Sequence, residues 1–373
     1  MSVINIASSS AFYAALKTVK PGDTMAFAPG TYSGIIFNSQ HFSKAITITS
    51  ADPNHPAVFS GISVGFSSGI TFKGVEFTTV GSKDPYYPFR VAYSDNITFT
   101  NDFFHGPIGS PNSQWMNGPY VSNSTNITFT HNQFEYLGAG MVVNNNDHVT
   151  ISDNSFSYLN KGGIEMGGTS DVNILDNNFT DFFTNAGGHG DVIQVYTQGS
   201  TTSAHDIDIS GNVYVRGDGM AAQGIFMQDT VNHRFDNVTI DNNVMLGGEW
   251  NGIYVWGATG NIQINNNTVG SWAGFDPVTQ GTTGFGAWIR TGGDLSGAHI
   301  TMLGNDSQAY LQGSWTVATP AGNTHLPYIT DGGSGLLTAW AHANVGQEGL
   351  LSSPLLSLAH LSGVSSTTGI LLG

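Results

Sequence analysis

Four polar side chains of the kinds that hold, orient or transfer a proton stand within eight residues: His189, Asp191, Gln194 and Tyr196, in GGHGDVIQVY (187–196). An imidazole titrates near neutral pH, and a carboxylate or phenol can take or return a proton when a substrate brings one within hydrogen-bond reach. Such a set suits abstraction of a proton beside a carboxylate that a cation or donor neutralises. Strand alternation sends Asp191, Gln194 and Tyr196 out of the core if one irregular step absorbs the change of parity between Asp191 and Gln194. The plain alternative is that these are ordinary solvated residues of one strand.

The elements that would position them repeat along the chain. NITFTNDFF (96–104), NITFTHNQF (126–134), HVTISDNSF (148–156), DVNILDNNF (171–179), DIDISGNVY (206–214), NVTIDNNVM (237–245) and NIQINNNTV (261–269) are copies of one segment, which HITMLGND (299–306) continues. Their lead residues are Ile97, Ile127, Val149, Val172, Ile207, Val238, Ile262 and Ile300, spaced 30, 22, 23, 35, 31, 24 and 38 residues apart. Five residues after each stands Asp102, Asn132, Asn154, Asn177, Asn212, Asn243, Asn267 or Asn305. One register of amides kept across such unequal loops fits coils stacked at the inter-strand spacing of about 4.8 Å, each side chain bonding the copies above and below. The expected fold class is therefore all-β, a right-handed parallel β-helix over residues 1–310. A short helix over 8–20, with Phe12, Leu16 and Val19 on one face, caps its N-terminal end. Residues 311–373 lose the repeat and read as a C-terminal cap or a linker to a further domain.

Composition narrows the partners. The net charge is −16 with only 10 Lys and Arg, which argues against nucleic acid and anionic membranes. With no cysteine, disulfides and thiolate metal sites are excluded. No apolar run approaches the ~20 residues of a membrane helix. Polarity rests on Asn, Ser and Thr, an extracellular-looking balance. The opening MSVINIASSS shows no basic segment followed by an apolar run, so the expectation is export without a cleaved leader, through a signal beyond this sequence or as part of a phage particle.

Between the repeats lies another strand per coil: GMVVN (140–144), GIEMG (163–167), VIQVY (192–196), GIFMQ (224–228), GIYVW (252–256) and GAWIR (286–290). With Met141, Ile164, Ile193, Ile225, Ile253 and Ala287 inward, one outward column is Val142, Glu165, Gln194, Phe226, Tyr254, Trp288. The next is Asn144, Gly167, Tyr196, Gln228, Trp256, Arg290. Aromatic rings in a row are costly in water unless something covers them. Sugar rings stack their C–H faces on aromatics while Glu, Gln and Asn bond their hydroxyls, so Glu165, Gln194, Phe226, Gln228, Tyr254, Trp256 and Trp288 are read as a polysaccharide-binding face. A covering loop or partner subunit is the alternative.

The repeat and its asparagines resemble the pectate-lyase-like right-handed parallel β-helix proteins, a superfamily of polysaccharide lyases, polyuronate epimerases, some glycosidases and phage tailspikes. Pro21-Gly22-Asp23-Thr24 and Pro29-Gly30-Thr31-Tyr32 are similar to the first coil of its alginate lyase and chondroitinase branch. That branch's lysine- and arginine-bearing catalytic segment is absent here. The polyuronate epimerases are similar in using Tyr, His and Asp on this face, although their motif is absent too. The expected activity is elimination or C5 epimerisation on a uronate-containing glycan, with His189, Asp191 and Tyr196, the titratable groups concentrated on one coil, as the catalytic group and Arg290 assisting. Arg290, Gln194 or a calcium ion held by Asp191 would quiet the uronate carboxylate; no metal site is otherwise identified. The alternatives are a glycosidase using two carboxylates, from Glu165, Asp191, Asp218 and Asp229, and a non-catalytic tailspike or adhesin.

Overall fold

The computed structural model describes residues 1–84, 86–110, 116–184, 190–197, 200, 203–230, 232–271, 286–329 and 333–343. Their strands form three twelve-stranded sheets in which strands pair with those three places along the chain, except that Val3–Ile6 pairs with the next strand, Thr24–Phe27, and Ala309–Gln312 pairs antiparallel with Trp315–Val317. That winding is a right-handed parallel β-helix. In sheet A lie the lead segments, such as Asp95–Thr100 and Thr125–Thr130; sheet B holds the short strands that follow them, such as Phe103–His105. Sheet C holds the second strand of each coil. By contacts the chain divides into two compact units, Met1–Asn160 with Ile164–Asn177, and Lys161–Gly163 with Asn178–Gly373.

The first unit is capped by helix α1, Ser9–Leu16, whose first turn is closed by the Ser8 hydroxyl accepting from the Ala11 amide. It is shorter than the expected 8–20, and Phe12 and Ala15 supply its buried face. Phe12 meets Phe27 and Phe37 at the end of the core. Inside, identical rungs stack aromatic on aromatic: Phe72, Phe99 and Phe129 at 4.8 and 4.7 Å, and Phe77, Phe104, Phe134 and Phe156 at 4.4, 5.0 and 4.6 Å. Residues 30–32 form the first strand of sheet B, where Tyr32 faces the core and its hydroxyl bonds the Ala28 carbonyl.

The asparagine ladder sits at the corner between sheets A and B. In the first unit Asn132 donates from Nδ2 to Asn154 Oδ1 (3.0 Å), and Asn154 to Asn177 (2.9 Å). In the second unit Asn212, Asn243 and Asn267 repeat this at 3.0, 2.9 and 2.9 Å. Each backbone amide of these residues also donates to the next Oδ1, so each rung closes two donors that a corner would otherwise leave unpaired. One more rung follows where the repeat looked finished: Asn305 donates to Asn323 Oδ1 at 2.8 Å. The strands Ala309–Gln312 and Thr324–His325 likewise extend sheets C and B. Helix α2, Ser334–Ala343, then lays Leu337, Trp340 and Ala341 over Val213, Val215, Val244 and Leu246 of sheet B.

Candidate functional site

In the second unit, the first four strands of sheet C are Asp191–Tyr196, Gln223–Gln228, Asn251–Trp256 and Trp288–Gly292. Over its first three strands the register puts Gln194 beside Phe226 and Phe226 beside Tyr254, then Tyr196 beside Gln228 and Gln228 beside Trp256. On the fourth strand the alignment read from the sequence is two residues out. A bulge between Asn251 and Ile253 makes Trp288 the neighbour of Asn251, Ile289 that of Ile253, and Arg290 that of Tyr254. Ile289, not Ala287, therefore continues the inward column, and Trp256 faces Gly292. A slip of two residues keeps the alternation of inward and outward side chains, and Ala287 and Ile289 are both buried.

This offset assembles the aromatic face differently. Phe226 and Tyr254 are parallel at 4.6 Å and 6°, and Tyr254 and Trp256 at 5.7 Å and 4°. The Arg290 guanidinium carbon lies 5.2 Å from both the Tyr254 and the Trp256 ring centres, while its Nε donates to the Gly313 carbonyl at 2.6 Å. A guanidinium so placed is held by ring quadrupoles on one side and a carbonyl at one edge, which fixes its plane. Trp256 lies over Gly292 and Gly293, where an added Cβ would run into the indole. Burial raises the Tyr254 hydroxyl's pKa, with the Arg290 charge acting in the opposite sense.

At the start of the same strands runs a polar row. Asp191 pairs with Gln223, and Asn251 with Trp288. Trp288 Nε1 donates to Asn251 Oδ1 (2.9 Å), Asn251 Nδ2 to Gln223 Oε1 (2.5 Å), and Gln194 Nε2 to Asp191 Oδ2 (2.7 Å). Val192 and Ile193 are both fully buried, the irregular step that lets Asp191 and Gln194 meet although three residues apart. Asp191 is only 5% exposed, whereas Tyr196 is half-buried. His189 lies outside the described residues. Trp288 also lines a cavity of about 340 Å³ with Gln308, Leu311, His325 and Tyr328. Of the other carboxylates weighed, Asp229 ties a loop, its Oδ1 accepting from the Thr197 hydroxyl (2.6 Å) and the His233 amide (3.1 Å). Asp218 is exposed, and its amide donates to Asp181.

The first unit's part of sheet C carries Glu165, 8% exposed, beside Val142. It also carries two residues the sequence reading missed. Arg90 and Tyr120 are neighbours in the same outward column, followed by Val142. Arg90 lies 5.8 Å from the Tyr87 ring centre and 6.0 Å from that of Tyr120, and pairs with Asp84 at 3.5 Å. A signal was available: in this unit the last inward residue of sheet C stands six residues before the lead residue of sheet A, as Val91 before Ile97 and Val121 before Ile127. Among the described residues, the first unit's one trio of groups spaced to hold a metal is Asp147, His148 and Asp171, exposed or half-buried, and Asp191 belongs to no such trio.

Compared with known proteins, the sequence matches the profile of a right handed beta helix region over residues 33–202 and 112–269. No curated protein matches it. Among solved structures it is similar to PfbA, a surface adhesin of Streptococcus pneumoniae, at 14% identity and a TM-score of 0.54, over 85% of this chain and 88% of that one. The Dettilon tailspike protein is matched at 12% identity and 0.54, over 88% and 69%. An alginate lyase from Paenibacillus sp. is a looser likeness, 15% identical with a TM-score of 0.39, over 88% and 98%. At such identities the likeness is one of fold.

Proposed function

The chain belongs to the right-handed β-helix family, and on that premise we propose that it is an extracellular carbohydrate-active protein that binds a uronate-containing polysaccharide along sheet C of its second unit. The observation that carries this is Arg290 set over Tyr254 and Trp256. Among the described residues its two terminal nitrogens have no protein partner, so they can meet a carboxylate while a sugar ring lies against the aromatic pile. In a chain of charge −16, one cation held this firmly beside stacked rings selects an acidic sugar.

The reaction we assign is removal of the C5 proton, followed by elimination or by reprotonation on the opposite face. In elimination the C5–H pair forms the C4=C5 double bond, the C4–O bond breaks, and an acid protonates the leaving oxygen. His189 and Tyr196 move the protons, Asp191 orients Gln194, and Arg290 with Gln194 draws charge from the carboxylate. Gln228 and Trp288 are assigned to sugar hydroxyls and rings along the same sheet.

A second reading, a non-catalytic binder, is favoured by one feature: Asp191 is nearly buried and bonded to Gln194. The test is a set of polyuronates assayed for the unsaturated product by ultraviolet absorbance, for C5 inversion by NMR, and for retention on an affinity gel. Product lost with His189→Ala and Tyr196→Phe supports the catalytic assignment. Retention without product supports the second reading, and a protein that ignores every polyuronate overturns both.

A further inference from the structure

In the first unit the turn from sheet C to sheet A is built alike on six successive coils. Its outer residue is Ser39, Phe66, Tyr93, Asn123, Asn145 or Gly168, with φ between 49° and 59°, the left-handed region. Behind it runs an inner ladder in which the Ser67 amide donates to Ser94 Oγ (3.2 Å), Ser94 to Ser124 Oγ (3.1 Å) and Ser124 to Asn146 Oδ1 (2.9 Å). That ladder sets the turn whichever side chain stands outside. Asn and Gly tolerate a positive φ; a bulky aromatic there is a steric outlier. Phe66 and Tyr93 are nevertheless 57% and 56% exposed and bury nothing in the core. Strained, solvent-facing rings that the fold does not require point to a ligand.

The two rings stack on each other at 5.0 Å and 5°. The pile stops at small side chains, Ser39 on the next rung beyond Phe66 and Asn123 beyond Tyr93, so each ring has an outer face without an aromatic neighbour. Those faces border a groove of about 760 Å³ that is also lined by Ser68, Thr125, His41 and Asp95. Rungs recur about every 4.8 Å, close to the thickness of a pyranose chair, so a sugar can lie as the next ring of the pile. Its hydroxyls then meet hydroxyl, imidazole and carboxylate groups. Asp95 accepts from the Asn96 and Asn126 side-chain amides at 2.5 and 2.8 Å. Among the described residues no Lys or Arg lines the groove. An anionic sugar is repelled there and a neutral one is not.

We propose that the Phe66–Tyr93 pile is a carbohydrate site separate from the aromatic face of the second unit, and that it takes a neutral pyranose of a polysaccharide. The probes are cellohexaose, xylohexaose and mannohexaose, with a mannuronate hexamer as the acidic comparison, read by saturation-transfer NMR on the full chain. The variants are Phe66→Asn and Tyr93→Asn, chosen because asparagine occupies the same rung at positions 123 and 145. Both should melt at or above the wild-type temperature, since each relieves a strained turn. At least one neutral hexaose should show transfer to its C–H protons, and each variant should weaken its binding by about tenfold, the scale of one stacked ring. Three results overturn the proposal: no transfer to any neutral hexaose, transfer unaffected by both variants, or transfer abolished by Trp256→Ala instead. Sedimentation adds a fourth: a dimer of the wild type that Phe66→Asn dissolves would show the rings covered by a second copy. The outcome is independent of polyuronate binding, which the same variants leave to be measured separately.

Discussion

At the scale of single residues, the most exacting side chain is Arg290, because its role depends on a plane and not only on a charge. Arg290→Lys keeps the charge but loses the Nε bond to Gly313 and the flat contact with Tyr254 and Trp256. Affinity for a polyuronate, measured by calorimetry, should fall by about 1–2 kcal/mol, and by a similar amount for Trp256→Ala. Asp102 gives a prediction of another kind. It heads the asparagine ladder as an acid, and burial pushes its carboxyl well up, outweighing the amides of Val75 and Thr100 that bond it. A carboxyl raised on folding contributes stability below its unfolded pKa and loses it as pH rises through the folded one. Asp102→Asn should therefore stabilise the protein at neutral pH, by roughly 1 kcal/mol or more, and flatten the decline in urea midpoint as pH rises above the ordinary carboxylate range. At this scale the sequence disclosed residue types better than neighbours. Tyr254, Trp256 and Gln194 were legible as outward, while the pairing of Arg290 with Tyr254 was not, because a two-residue slip leaves the alternation of the strand unchanged.

At the scale of elements, the asparagine corner was legible because it demands one residue type at a fixed offset, and an amide is the side chain that can accept from one coil while donating to the next. The inner ladder at the other corner was invisible for the opposite reason. Ser67, Ser94, Ser124, Asn146 and Thr169 share only an oxygen at the right height, which three residue types supply. The first strand, Val3–Ile6, was likewise hidden, since it lacks both ladder and repeat. The two corners should differ in their response to mutation. Asn243→Ala removes the buried oxygen that accepts from both the backbone and the side-chain amide of Asn212. A loss of about 2–3 kcal/mol in urea denaturation is expected. Ser94→Ala removes one hydroxyl acceptor from a shallower turn and should cost about 1 kcal/mol.

At the scale of the molecule, the coils of each unit contact chiefly their neighbours, so damage should spread by adjacency. Trp340→Ala tests the longest reach. Trp340 packs on sheet B and donates from Nε1 to the Asn242 carbonyl, 98 positions earlier. Its loss should cost about 3 kcal/mol and bare Val213, Val215, Val244 and Leu246, raising the binding of a hydrophobic dye and amide exchange in those strands first. The run after residue 310 offered no periodic cue for this, because a helix laid against one sheet needs only a few apolar contacts. The ladders have a further consequence, for the order of assembly. Every described bond between ladder asparagines points the same way, from one coil to the coil made after it, while the same Nδ2 groups of Asn132, Asn154, Asn243 and Asn267 also donate back to a carbonyl of the coil before. A chain emerging from the ribosome therefore carries, at its newest coil, amides waiting for an acceptor not yet synthesised. Completion passes in one direction along each unit, and an interrupted synthesis leaves a frayed, donor-rich end where the next coil would have docked.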